Sequence, residues 1–444
     1  MRMTNISKTL AQPTTSRNRL ALFALVYLHV AACCVSMLYV AYYYRIYQLF
    51  NYDPAQIYPA LLNIAPLGAL ALLFVFCRFS FGYFIGFGFY TMILGYVWLA
   101  KFSLLDYDHS LGVISATLSL LAFLMPALFV TSAIRQRIVL TETVLERLLA
   151  LILLLGAAVI AVGVFYNFRL VGISDIYKFR LTLEFPKPLG YAIGIISNVL
   201  LPYAFACYFL RGDHWRAAAT LLLLLLFYPI TLTKLALFTP PWLLFLALLA
   251  TYFEARIAVV LSLLLVTLAG IVLEPLAAHG ILTTARFIDF FGPINFRMIA
   301  VPSIVLDIYS DFFSKHSLTH FCQISYLKPF VDCPYSDSLQ VVMFNNYPVG
   351  YANASLFGTE GVASVGLKWA PLSAFACGLI IAVGNGVSTG LPPRLILLSA
   401  GALSQVLLNV PLSTSLLTNG AAVLLLLWYV TPRGMFETKP KSEN

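Results

Sequence analysis

Charge is scarce in this 444-residue chain: Lys, Arg, Asp and Glu make up 10% of it, against 61% hydrophobic residues and a mean hydropathy of +0.90. Too little polar surface remains to coat a soluble globule, which excludes that class. Glycine-rich phosphate loops, CxxC metal pairs and internal repeats are also missing. No soluble cofactor domain is therefore expected, and no cofactor or metal is predicted. The alternation of barrel strands is absent as well. Leu148 to Val164 and Leu221 to Phe227 are apolar on every face, as a membrane helix is.

What the chain has in abundance is apolar runs of about 18 residues or more, enough to cross a bilayer as helices. They predict an all-α polytopic membrane protein with twelve spans near 20–44, 57–77, 80–100, 111–133, 147–166, 189–210, 216–233, 237–253, 257–276, 367–386, 394–411 and 415–431. The run from Leu20 lacks a small-residue cleavage site and reads as a retained first span. Thr231 to Pro241 would carry Lys234 deep in lipid if it were one span, so a break is expected around Lys234 and Pro240–Pro241. The expected organisation is a first bundle over 1–276, including an outer loop at 167–188, then a large outer loop at 277–366, then three helices and a tail over 367–444. Within the large loop, short helices are expected at 285–291 and, opened by Pro302, at 302–314.

With both termini inside, fifteen of the 27 basic residues fall on inner segments and twelve on outer ones. The net charge of +9 is then topological, following the positive-inside rule, and requires no nucleic acid partner. Nine outward cations still stand out: Arg169, Lys178, Arg180 and Lys187 in the first loop, and Arg286, Arg297, Lys315, Lys328 and Lys368 in the second. Arginine's planar fork suits phosphate in a poorly hydrated site, and lysine adds a compact charge. Arg180, Lys234, Arg286 and Arg297 at the outer edge of an apolar bundle suit an anionic headgroup whose tail lies in the bilayer. Pairing with nearby acids, or contact with bulk lipid phosphate, accounts equally well for any one of them.

Proton-transfer groups lie close by in sequence: His316, His320, Asp307, Asp311, His279 and Glu360. Asp307 and Asp311 share a helix face, and a solvated face is the simpler expectation for them. Tyr309, Phe312, Phe313, Tyr326, Tyr335, Tyr347 and Tyr351 fit either sugar stacking or an interface belt, the latter being the plainer reading. Cys322 and Cys333 sit outside the apolar runs and are compatible with either a disulfide or two free thiols.

Four stretches together resemble the O-antigen polymerases, the oligosaccharide repeat-unit polymerases of bacterial envelopes: Asn295 to Ser314, Tyr351 to Trp369, Asp175 to Leu181 and Thr231 to Phe238. The resemblance covers about 50 residues, and the remainder agrees only in hydropathy. It implies a glycosyltransferase of the bacterial inner membrane, active at the periplasmic face. Such an enzyme joins undecaprenyl-diphosphate-linked repeat units by attack of a sugar hydroxyl on an anomeric carbon. It further implies catalytic roles for Arg180, Arg297 and His316, and substrate contacts from Lys178, Lys234, Arg286, Tyr309, Asn353 and Glu360. Membrane lipid, a chain-length regulator and a flippase follow as partners. A ligase that moves finished glycan is the alternative enzyme, and a lipid-linked oligosaccharide flippase or exporter is the alternative outside enzymes.

Overall fold

The computed structural model describes residues 16–44, 48–172, 175–176, 179, 183–324, 327, 329–347, 358–407 and 409–436. It is helical throughout, and among the described residues the only β pairing is an isolated bridge between Phe50 and Ser103. Nine helices follow the apolar runs closely: α1 Ser16–Tyr43, α2 Ile57–Phe76, α3 Phe81–Leu99, α4 His109–Phe129, α5 Glu142–Tyr166, α6 Lys187–Leu210, α7 His214–Thr231, α8 Lys234–Tyr252 and α9 Ala255–Ala278. Next come α10 Thr284–Lys315, the short α11 Leu339–Asn346 and α12 Thr359–Ser388. The chain ends in α13 Pro393–Ser399, α14 Gly401–Leu407, α15 Leu412–Leu417 and α16 Ala421–Val430. Among the described residues, eleven helices are long and apolar enough to cross a membrane, which makes this a multi-pass membrane protein.

Helix ends gather on two faces. On the face where α1 begins, called proximal here, Arg256 donates to the carbonyls of Val75 at 3.3 Å and Cys77 at 3.2 Å, and Arg394 donates to Thr251 O at 3.4 Å. On the distal face, Tyr43 donates to Glu274 at 3.2 Å, and the Asn167 amide donates to Pro229 O at 3.0 Å. The alternation of direction from α1 through α9 follows from these pairings.

Close approach and the Asn385 side chain fix the proximal ends of α3, α4 and α12. The backbone N–H of Gly82 donates to Asn385 Oδ1 at 2.7 Å, and the Asn385 amide donates to Ala127 O at 2.8 Å and Val130 O at 3.0 Å, tying α3, α4 and α12 together. A Cβ on Gly82 would run into the Ala127 carbonyl oxygen, which is backbone and has nowhere to move. Gly82→Val should therefore destabilise by about 1–3 kcal/mol through overpacking. Its thermal transition in detergent should fall, while the same change at Gly68, with nothing within 4 Å, should leave the transition nearly unmoved.

Three expectations are corrected. First, the segment expected to be part of an outer loop is a 32-residue helix, α10, built into the bundle. Its expected short helices do form, as Thr284–Phe291 and Val301–Lys315, but a π-wound stretch, Gly292–Ala300, joins them. Pro293 is the second residue of that stretch and Pro302 lies two residues after it, and each lacks the N–H that an α-turn would use, which favours the wider winding. Asn295 is fully buried and donates to Ser36 at 3.0 Å and to Thr267 O at 2.8 Å. Ser303 donates to Met92 O at 2.8 Å.

Second, the break near Lys234 falls before it. Leu232 adopts a left-handed turn with φ 48°, Thr233 caps the next helix by accepting from Ala236 N at 3.3 Å, and Lys234 is the first residue of α8. Pro240 and Pro241 lie inside α8 without ending it. Third, the last two expected spans are broken rods, α13 with α14 and α15 with α16, none as long as 18 residues.

Candidate functional site

The distal face is built around the C-terminal half of α10, where every residue from Pro302 to Phe313 is buried. Asp307, at 1% exposure, accepts from Ser103 Oγ at 2.7 Å and from the Tyr107 hydroxyl, which in turn meets the Tyr96 hydroxyl at 3.0 Å. Burial, reinforced by Asp307 beside it, pushes the Tyr107 hydroxyl far above the ordinary phenol range, so it stays a donor. One turn on, Asp311 is 6% exposed and accepts from Lys315 Nζ at 2.6 Å and from the Tyr347 hydroxyl at 2.6 Å. The solvated-face expectation for this carboxyl pair is therefore wrong. They share a face, but that face is packed against the α3–α4 connection and the end of α11. Both aspartates are satisfied structural groups that anchor α10.

The described residues among 316–347 cap this region. The amide of Thr319 donates to Ala363 O at 2.8 Å, that of His320 donates to Ser364 O at 3.2 Å, and the Tyr335 hydroxyl donates to Ser317 O at 2.7 Å. Cys322 and Cys333 are joined by a disulfide, which decides between the two readings of that pair. Closing an eleven-residue separation stabilises the cap by roughly 2–4 kcal/mol. Maleimide should modify Cys333, which is exposed, only after reduction. Modification without reductant would show that the bond is not formed in the membrane-embedded protein.

Under the cap lies a cavity of about 180 Å³. Its polar lining comes from Tyr309 on α10, Thr319 and Gln323 in the cap, Gln340 on α11, Glu360 and Ser364 on α12, and Ser413 and Thr414 on α15. Glu360 stands in the first turn of α12, ahead of a bend at Gly366, whose φ of 76° and ψ of 169° few other residues tolerate. That bend sets the Glu360 turn apart from the membrane-crossing rod beyond it. The Glu360 carboxyl accepts from Leu412 N at 3.4 Å, which ties it to the start of α15. Tyr309 is fully buried, its hydroxyl has no hydrogen-bond partner among the described residues, and it lies near enough to Glu360 for the two groups to interact electrostatically.

Two of the expected site residues, Tyr309 and Glu360, are thus brought together. The rest are placed elsewhere. Arg286 and Arg297 are exposed on α10, eleven residues apart, or about 17 Å along an axis that rises about 1.5 Å per residue. Lys234 is partly buried at the start of α8. His316 is exposed, its ring stacked on Phe312 with centroids 4.0 Å apart and its Nδ1 2.9 Å from Phe312 O. None of these four lines the cavity. Lys178, Arg180 and Asn353 lie outside the described residues, as do Lys328, Tyr326 and Tyr351. Phe312 and Phe313 of α10 pack on Tyr335 of the cap, so they form the seam between the two and not an interface belt. Among the described residues no three His, Cys, Asp or Glu side chains group as metal ligands.

Sequence reasoning missed the Ser103–Tyr107–Asp307 cluster. Its signal was an aspartate set in the apolar run Ile304 to Ile308, where an unpartnered carboxyl is costly and a buried partner should be sought. The fold and site define a helical multi-pass membrane protein with a cavity of mixed polar and apolar lining at one face. Comparison with protein-family models, curated proteins and solved structures finds no match to this chain.

Proposed function

We propose that this protein is a glycan polymerase that joins lipid-linked repeat units at its distal face. A cavity of about 180 Å³, lined by hydroxyls, amides and one carboxylate among apolar side chains, supports this reading; it lies beside α10, the helix that bears Arg286 and Arg297. An undecaprenyl-diphosphate donor would keep its tail in the bilayer and its diphosphate against the cations of α10 and of the 167–188 loop, where Lys178 and Arg180 stand. Charge growing on the leaving diphosphate is stabilised by guanidinium groups held in place beforehand. Lys234 at the start of α8 adds a further cation at the same face. Ten of the described basic residues, Arg19, Arg78, Arg135, Arg137, Arg147, Arg211, Arg216, Arg256, Arg394 and Arg433, belong to proximal segments, which favours a cytoplasmic proximal face and a periplasmic distal one. The membrane would then be the bacterial inner membrane.

Loss of the protein separates this reading from its alternatives. Deletion should leave surface polysaccharide carrying a single repeat unit, visible as the collapse of a ladder on a gel. Long chains retained on the carrier lipid would indicate a ligase, and repeat units trapped in the cytoplasm would indicate a flippase.

A further inference from the structure

We infer that the capped cavity seats an uncharged sugar of the acceptor chain and that Glu360 takes the proton from its attacking hydroxyl; this rests on the transferase reading above. The lining is rich in groups that both donate and accept, namely Thr319, Ser364, Ser413 and Thr414 together with the amides of Gln323 and Gln340, as a ring of hydroxyls requires. Among the described lining residues one is acidic and none is cationic, so the cavity suits neither a diphosphate nor a carboxylated sugar. That separates it from the cations of α10 and assigns donor and acceptor to different places.

Two observations point to a missing ligand. Tyr309 is fully buried beside the cavity with an unpartnered hydroxyl, which costs about 1–3 kcal/mol unless something bonds it. The Glu360 carboxyl receives one backbone bond, from Leu412, which fixes the group and leaves acceptor capacity toward the cavity. His316 is a poorer base, because its ring is stacked on Phe312 away from the lining.

In the step itself, the acceptor oxygen bonds to the donor's anomeric carbon as the bond from that carbon to the diphosphate oxygen breaks. The hydroxyl proton passes to the Glu360 carboxylate, and the electron pair leaves on the lipid diphosphate. No redox partner or further reactant is needed.

The test uses full-length protein in liposomes with the lipid-linked repeat unit, the free oligosaccharide cut from that unit serving as a soluble acceptor. Glu360→Gln should slow elongation about 100-fold or more, the usual contribution of a positioned base, with unchanged competition by undecaprenyl diphosphate. Glu360→Asp should restore part of the rate. Gln340→Leu should raise KM for the soluble acceptor about tenfold with little change in kcat. An active wild type whose Glu360→Gln form elongates normally overturns this inference and leaves the transferase reading intact. A wild type that elongates nothing overturns both.

Discussion

Arg297→Ala should insert, fold and resist heating like the wild type, yet elongate chains about 10²–10³-fold more slowly, the usual cost of deleting one group that stabilises developing charge. The two halves of this expectation have separate origins. Arg297 is exposed on the π-wound part of α10, and the buried residues of that stretch are Asn295, Ile299 and Ala300. Truncating an exposed side chain that carries no packing changes stability by about 0.5 kcal/mol or less. Under the proposed function its value lies in contact with the donor diphosphate. Arg297→Lys keeps the charge but loses the planar fork, so it should recover only part of the rate. The same pattern is expected for Arg180→Ala. Two variants that both retain full activity would place the diphosphate elsewhere.

Asp307→Ala should show the opposite profile, a large loss of stability. Removing the carboxyl takes the acceptor from the half-buried Ser103 hydroxyl and leaves Tyr107 only its Tyr96 partner, around a buried hole, and each donor so deprived costs about 1–3 kcal/mol. Together they predict roughly 2–5 kcal/mol, read as a lower thermal midpoint in detergent and a lower yield of folded protein. Ser103→Ala alone should cost about 1 kcal/mol. In the pair of changes the losses should fall short of additive, because the two residues share one bond. An Asp307→Ala protein as stable as the wild type would show that α10 is not held at this point.

The sequence made α1 to α9 and the main rod of α12 legible because their apolar runs are uninterrupted, and hydropathy alone finds such runs. It failed for α10, where Asp289, Asn295, Arg297, Ser303, Asp307 and Asp311 interrupt the apolar pattern. Those polar groups are accommodated by partners distant in sequence: Ser36 and Thr267 for Asn295, Met92 O for Ser303, and Ser103 with Tyr107 for Asp307. A hydropathy window cannot see such partners, so the sequence shows two short helices in an outer loop where the structure joins them into one 32-residue helix. The last two spans were misjudged for another reason. The first is cut at Ala400, which ends α13 with ψ 0°, and the second at Gly420, whose φ of 82° separates α15 from α16, so backbone punctuation cuts runs that composition alone would join.

Two of the nine expected site residues line the cavity. Tyr309 and Glu360 were named from chemistry and sequence position, and they meet across one cavity. The polar lining from Thr319, Gln323, Gln340, Ser413 and Thr414 carried no signal, because hydroxyls and amides scattered over separate segments become a site only when the cap folds over α12 and α15.

The most direct test of the polymerase account is reconstitution. Purified protein in liposomes is given a single lipid-linked repeat unit, without nucleotide or added metal, and the products are separated by length. The account predicts a ladder of lengthened chains, with free undecaprenyl diphosphate released in proportion. Repeat units that stay single while crossing the bilayer would contradict it.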